Sequence, residues 1–245
     1  MIGGRSQDEL QQTYSLNRGF QSFKQPGSSI KPLVIYTPAL EEGYDANSTL
    51  TEIDVKAAKK STSEKISKMS GKKMSLRYAV EDSKNGCAYS LYNIITPKVG
   101  LSYIENMNFS KIVQQDYTLS SGLGGLHHGT NTVEMANAYS TLENHGEYRQ
   151  ADCISSILDA SGNEIYEEPE SKTVYTRSAS DQMTDILEGV LNSSAGTAKG
   201  LKWSSASDVA AAAKTGTTND NNVAWFCGYT PYYTISVWVG YDYPK

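Results

Sequence analysis

Apolar residues recur at helical spacing in the middle of the chain and at strand spacing near its end. Met183, Ile186, Leu187, Val190 and Leu191 fall three and four apart, which predicts a helix with one core-facing stripe, capped by Ser180. Met135, Tyr139 and Leu142 repeat the pattern after Thr132, and Leu76, Ala79 and Val80 mark a shorter helix that ends before Gly86. The period then changes. Residues 223–229 and 234–241 read as strands, with Ile235, Val237 and Val239 alternating against polar or aromatic neighbours and Thr230-Pro231-Tyr232-Tyr233 as the connection. Ser161-Gly162-Asn163 reads as a hairpin turn between Ile154 to Asp159 and Glu164 to Tyr166. Helices in the middle and strands at the end predict an α+β layered domain. Ala57 to Lys73, rich in lysine and serine, looks like a solvated charged excursion.

A chain of 245 residues can hold one sizeable core or two small lobes. Its net charge of −5 argues against nucleic acid as a partner, which would call for a basic face. No run of about 18 apolar residues occurs, so no membrane-spanning helix is predicted, and no signal-peptide pattern is seen. Cys87, Cys153 and Cys227 are an odd set without a short-range pairing pattern, and buried free thiols are expected. His127 and His128 are adjacent and His145 stands alone, so no metal ligand set is predicted, and no cofactor. Most of the many tyrosines read as half-buried sheet residues.

Candidate chemistry sits in three places. Lys214-Thr215-Gly216-Thr217 falls between the small-residue run Val209 to Ala213 and the strand at 223–229. In a strand, Lys214 and Gly216 point to one face and Thr215 and Thr217 to the other. The missing side chain at Gly216 allows close backbone approach, so the segment predicts an edge where an added peptide strand meets hydroxyls and an ammonium near its terminal carboxylate. Far upstream, Gln25-Pro26-Gly27-Ser28-Ser29-Ile30-Lys31-Pro32 combines a Pro-Gly turn with a serine placed to start a helix. Lys31 then lies one turn on, on the same face as Ser28, as a serine nucleophile with a lysine base requires. Ser29 meets Pro32 at that spacing. Ser70-Gly71-Lys72-Lys73 has the same spacing in a polar setting and is read as a decoy. The third place is Ser83-Lys84-Asn85, in the turn leaving the short helix; Ser15-Leu16-Asn17 and Ser161-Gly162-Asn163 are decoys for it.

The order Ser-x-x-Lys, Ser-x-Asn, Lys-Thr-Gly is that of the penicillin-recognising serine acyl-transferases. Ile2-Gly3-Gly4-Arg5, Asn17-Arg18, Thr218-Asn219-Asp220, Ala224-Trp225-Phe226 and Gly228-Tyr229-Thr230-Pro231 narrow the match, with the runs Gly129 to Tyr139 and Asp159 to Tyr166. Over nearly its whole length the chain resembles the transpeptidase domain of class A, bifunctional penicillin-binding proteins. That resemblance implies a β-lactamase/transpeptidase-like fold, an antiparallel sheet flanked by helices plus an all-helical lobe. It implies a serine D,D-transpeptidase that cross-links peptidoglycan stem peptides and is inhibited by β-lactams. Ser28 forms the acyl-enzyme and Lys31 takes its proton, its pKa pushed down by desolvation and by the charge of Lys214. By resemblance Ser83 relays a proton to the leaving amine and Asn85 holds the peptide. Lys214, Thr215, Gly216 and Thr217 form the carboxylate-binding lip, and the N–H groups of Ser28 and Thr217 form the oxyanion hole.

The chain departs from the family at Ala213, where a glycine is common, and at Val223, where an acidic residue is common. Leu50 to Lys73 lacks the expected aromatic, Gly-rich pattern, so the mouth of the cleft is expected to differ. The family has a strand leading into the Gly-Gly turn at which this sequence starts. The reading is therefore one domain, 1–245, from a longer protein, with a first strand, a glycosyltransferase domain and a membrane anchor upstream. That places it at the extracytoplasmic face of the bacterial plasma membrane, with other wall-synthesis proteins as partners. A further polypeptide segment, from the same protein, is expected to fill the gap beside the strands at 223–229 and 234–241. Alternatives of other classes are a D,D-carboxypeptidase, a serine β-lactamase, a β-lactam sensor domain and a catalytically idle scaffold.

Overall fold

The computed structural model describes residues 16–201, 209–218 and 222–242. The motifs Ile2 to Arg5 and Asn219-Asp220 lie outside them. Lys24 bridges to Thr130, and the chain then enters a 3-10 turn, Gly27–Ile30, a π-helical turn, Pro32–Tyr36, and α1, Thr37–Glu41. Ser28 was expected to cap this helix. It is instead the second residue of the 3-10 turn, behind Pro26, and no side chain caps there. Proline accounts for the irregular ladder. Pro32 and Pro38 have no N–H to donate, so the Lys31 N–H closes on Ser28 O and the Thr37 N–H reaches back to Pro32 O. Ile30, Leu33, Val34, Ile35 and Tyr36 are wholly buried, which makes this segment the centre of the main core.

β1 (Thr49–Glu52) pairs antiparallel with β2 (Lys72–Ser75), with Leu50 opposite Met74. Between them lie α2 (Val55–Ala58), capped by Asp54, and α3 (Ser63–Ser67). The excursion expected to be solvated therefore folds back on the domain. Ala58 and Ile66 are buried with Ile53 and Tyr89 in a small second core, while Lys68 stays outside and pairs with Glu64. One buried residue per short helix is too sparse to register as periodicity.

α4 (Leu76–Glu81), α5 (Asn85–Ile95) and α6 (Pro97–Asn106) build the helical part, and Gly86 lies inside α5 rather than in the turn before it. α7 (Thr132–Glu143) is capped by Asn131, one residue before the expected Thr132. β3 (Glu147–Tyr148) pairs with β4 (Lys172–Thr173), and an isolated bridge, Leu158 to Glu164, spans the turn at Gly162. α8 (Arg177–Asn192) is capped by Thr176, four residues before the expected Ser180. Ser180 is buried inside the helix, where its hydroxyl donates to Leu142 O at 3.1 Å and ties α8 to α7.

The main sheet runs β5 (Ala212–Thr217), β6 (Val223–Tyr229), β7 (Thr234–Gly240), antiparallel, with Lys214 opposite Cys227 and Trp225 opposite Trp238. α8 packs on β5, and α7 on β6 and β7. The alternation read at Ile235, Val237 and Val239 is present, and its apolar side is the open one: these three are 50%, 48% and 68% exposed. Trp238, on the other side of the pleat, packs toward the core. Among the described residues no strand pairs with the outer edge of β7. Cys87 and Cys227 are buried free thiols as expected, but Cys153 is exposed, because its segment runs over the surface without packing. The α+β reading, an antiparallel sheet with helices against it and a helical part beside it, is borne out.

Candidate active site

Two lysine side chains converge in the interior. Lys31 and Lys214 are each 0% exposed, an arrangement rare for lysine unless its amine has partners. Lys31 Nζ donates to Ser83 O at 2.8 Å and to Asn85 Oδ1 at 2.7 Å, and lies 3.5 Å from Ser83 Oγ. Lys214 Nζ donates to Ser83 Oγ at 2.8 Å and to Thr215 O at 3.1 Å. The Ser83 hydroxyl thus stands between the two amines. Burial and then the charge of Lys214 drive the Lys31 amine well below the usual lysine range, and burial takes Lys214 down to about 7. A neutral Lys31 has two N–H bonds for Ser83 O and Asn85 Oδ1, which leaves its lone pair free to accept a proton.

Ser83 is held in an unusual backbone. α4 ends in a Schellman motif, with Lys84 N–H on Ala79 O at 2.8 Å and Ser83 N–H on Val80 O at 3.1 Å. That motif asks for a left-handed residue, usually glycine, and Ser83 takes it with φ 57°. This conformation sets the hydroxyl and carbonyl of one residue against both lysines. α5 begins two residues on, at Asn85, so a helix end and a helix start fix the Ser-x-Asn pair.

Ser28 is brought to this place by backbone packing. Gly27 has φ 55°, and a Cβ there would lie 2.5 Å from Thr217 O and 3.0 Å from Thr217 N. A Cβ at Gly216 would lie 2.4 Å from Pro26 O and 2.9 Å from Ser29 N. Two glycines therefore let the serine turn press against the end of β5. The backbone that approaches Gly216 is the chain's own. No side-chain hydrogen bond joins Ser28 to Lys31, contrary to the reach expected from their spacing. The Ser28 hydroxyl is half-buried with no partner among the described residues, and the 3-10 turn leaves the Lys31 amine facing Ser83 and Asn85. Ser29 is excluded as a rival: it is fully buried and donates to Pro26 O at 2.7 Å. Ser70 and Lys73 are exposed.

On β5, Thr215 is partly exposed with its hydroxyl 2.7 Å from that of Thr197, and Thr217 is exposed, as the alternation predicts. Ala213, where a glycine was expected, is buried opposite Gly228, whose own lack of a side chain makes the room. Among the described residues no group of three His, Cys, Asp or Glu side chains converges.

The Penicillin binding protein transpeptidase domain family matches residues 1–243. The chain belongs to this family. It is 32% identical to penicillin-binding protein 4 of Bacillus subtilis, over 95% of this chain and 37% of that protein. It is 30% identical to penicillin-binding protein 1A of Clostridium botulinum (strain Hall), over 99% of this chain and 30% of that protein. The chain thus spans about a third of the length of these relatives. In fold it matches crystal structures of penicillin-binding protein 1A from Haemophilus influenzae (TM-score 0.75, 22% identity, 98% of this chain and 41% of that one). It matches PonA1 from Mycobacterium tuberculosis in complex with penicillin V as well (TM-score 0.74, 21% identity, 94% and 63%). The fold and family expected from the motifs are borne out over the whole chain.

Several residues that hold the serine turn in place were not read as doing so from the sequence, though Trp225 and Tyr139 lie in family-like segments. Trp225 Nε1 donates to Gln25 O at 2.9 Å, pinning the serine turn to β6. The buried Tyr139 and Tyr175 hydroxyls donate to Ser29 O at 2.7 Å and Leu33 O at 2.6 Å. Pro26-Gly27 was legible as a turn and Tyr139 as part of a core stripe; Tyr175 was not singled out.

Proposed function

We propose that this domain is a serine D,D-transpeptidase. The observation that carries the reading is the wholly buried lysine pair sharing the Ser83 hydroxyl, with the turn that bears Ser28 packed against the strand that bears Lys214. Ser28 Oγ attacks the carbonyl carbon of the D-Ala-D-Ala peptide bond while its proton passes to the Lys31 lone pair. Catalytic hydrogen bonds commonly tighten only once substrate is seated, so the open Ser28 hydroxyl fits the role. The backbone N–H groups of Ser28 and Thr217, brought together by the Gly27 contact, hold the oxyanion. As the C–N bond breaks, Ser83 passes a proton to the leaving D-alanine amine, resupplied from the lysine beside it. Lys214, Thr215 and Thr217 hold the terminal carboxylate, and Asn85, exposed and bound to Lys31 through Oδ1, holds the peptide. The amine of a second stem peptide then attacks the acyl carbon, closes the cross-link and returns Ser28 its proton.

The substrates are peptidoglycan stem peptides, with β-lactams as acylating mimics, and the polymer's location puts the work at the extracytoplasmic face of the plasma membrane. Among the described residues no helix is long and apolar enough to cross a membrane. The test is release of D-alanine from a D-Ala-D-Ala-terminated peptide together with a covalent acyl adduct of matching mass. Turnover without an adduct on this chain would contradict the reading.

A further inference from the structure

A cavity of about 450 Å³ opens beside the segment that leads into the serine turn, within the range of about 300–1,000 Å³ usual for small-molecule sites. None of the residues of the lysine centre lines it. Its wall joins Phe20 and Phe23, upstream of Pro26-Gly27, to the first half of α7 and to the surface around Asn108 and Gln150. The Lys24 to Thr130 bridge links the two sides.

Five side-chain amides, those of Gln21, Asn108, Asn131, Asn137 and Gln150, stand in the lining among apolar groups. Asn108 Nδ2 donates to Gln150 Oε1 at 3.3 Å, and Asn137 lines the same wall as the buried Tyr148. Asn131 is 2% exposed. Its Oδ1 accepts from Glu134 N at 2.9 Å, while its Nδ2 has no partner among the described residues. An amide donor that no protein group holds, in the wall of a cavity, is open to an acceptor on a ligand. Glu134 adds no free charge for recognising a cation: its carboxylate already accepts from Ser110 N–H (2.9 Å), Ser110 Oγ (2.6 Å) and Thr130 Oγ1 (2.6 Å). It does disfavour an anion. Opposite the amides, Phe20 is 56% exposed, and Lys111 Nζ lies 3.6 Å over the Phe23 ring.

Amides that both donate and accept match a ligand dense in neutral hydroxyl and acetamido groups, and an open aromatic face matches the C–H side of a sugar ring. We propose that this cavity is a saccharide subsite that seats the N-acetylated sugar backbone of the polymer whose stem peptides Ser28 acylates. The identity of that polymer rests on the transpeptidase reading; the cavity and its chemistry do not.

The test is a titration of the 1–245 chain with the β-1,4-linked tetramer of N-acetylglucosamine, read by calorimetry or ligand-observed NMR, beside penicillin acylation of Ser28 read by intact mass. The tetramer should bind, and Phe20→Ala and Asn137→Ala should each weaken it by about tenfold. Penicillin, which carries no sugar, should acylate both variants at the unaltered rate, which also shows that they are folded. Absence of binding up to about 10 mM, binding indifferent to both variants, or binding lost when penicillin occupies Ser28 would each overturn the proposal. If the unaltered chain binds the tetramer but takes no penicillin, the subsite stands and the transpeptidase reading falls.

Discussion

The chain carries Ser-x-x-Lys twice, at 28–31 and at 70–73, and the two differ in everything except spacing. Lys31 is wholly buried, its amine meets two oxygens of other elements, and a second buried lysine lies beyond Ser83. Lys73 stands exposed on β2 opposite Thr51, and Ser70 is exposed just before the strand. Spacing places two side chains near one another, but desolvation makes one of them a base. At 70–73 both side chains stand exposed on the surface.

The largest break in this comparison comes from exchanging lysine for arginine at each place. Arginine keeps the charge and never gives up its proton. Lys31→Arg should slow penicillin acylation by about 10² or more, the usual scale of acid–base catalysis, whereas Lys73→Arg should leave it unchanged. Equal rates in the two variants would show that Lys31 acts through charge or packing alone.

Ser83 gives the next effect. Ser83→Ala and Ser83→Gly both remove the hydroxyl shared by the lysines and should lose acylation alike, by about tenfold or more. They should differ in stability. Glycine tolerates the left-handed backbone at 83 that costs other residues about 1 kcal/mol or more, so the glycine variant should melt about 2–4 °C above the alanine variant. Equal melting points would mean that the Schellman turn holds no strain.

The lysines should also show in the pH dependence of folding. Both bind a proton less tightly in the fold than the ordinary value near 10.5, Lys214 at about 7 and Lys31 well below the usual range. Between pH 7 and 9 the unfolded chain therefore holds more protons, and stability should rise with pH. Chemical denaturation should show that slope reduced in Lys214→Met and further reduced in Lys31→Met/Lys214→Met. Acylation should rise with pH as Lys31 loses its proton. A stability that falls across this window would contradict the buried neutral pair. The smallest effect belongs to Trp225→Phe, which removes one indole N–H bond to Gln25 O, worth about 0.5–1.5 kcal/mol. It should lower the melting temperature slightly and slow acylation severalfold without changing its pH profile.

Much of this site was legible in the chain because its parts are local. The strands 223–229 and 234–240, the stripes of α7 and α8, and the strand alternation that hides Lys214 while exposing Thr217 all follow from period and residue type. The misplaced parts depend on competition between neighbours. Ser180 is as good a cap as Thr176 by type, and packing against Leu142 decided that it went inside. Ser28 looked like a cap because Pro-Gly precedes it, but Pro32 one turn later denies the regular ladder that a cap would start. What joins the motifs is not local at all. Nothing near position 27 announces that Thr217 will press on it, and no period marks Trp225 as the anchor of Gln25.

The claim that burial, and not spacing, makes the reactive serine is tested most directly by peptide mapping after intact-mass measurement with excess penicillin. The account predicts one adduct per chain, on Ser28 within the peptide that holds Pro26 to Lys31, and none in Ser28→Ala. An adduct on Ser29 or Ser70, or labelling that survives Ser28→Ala, would contradict it.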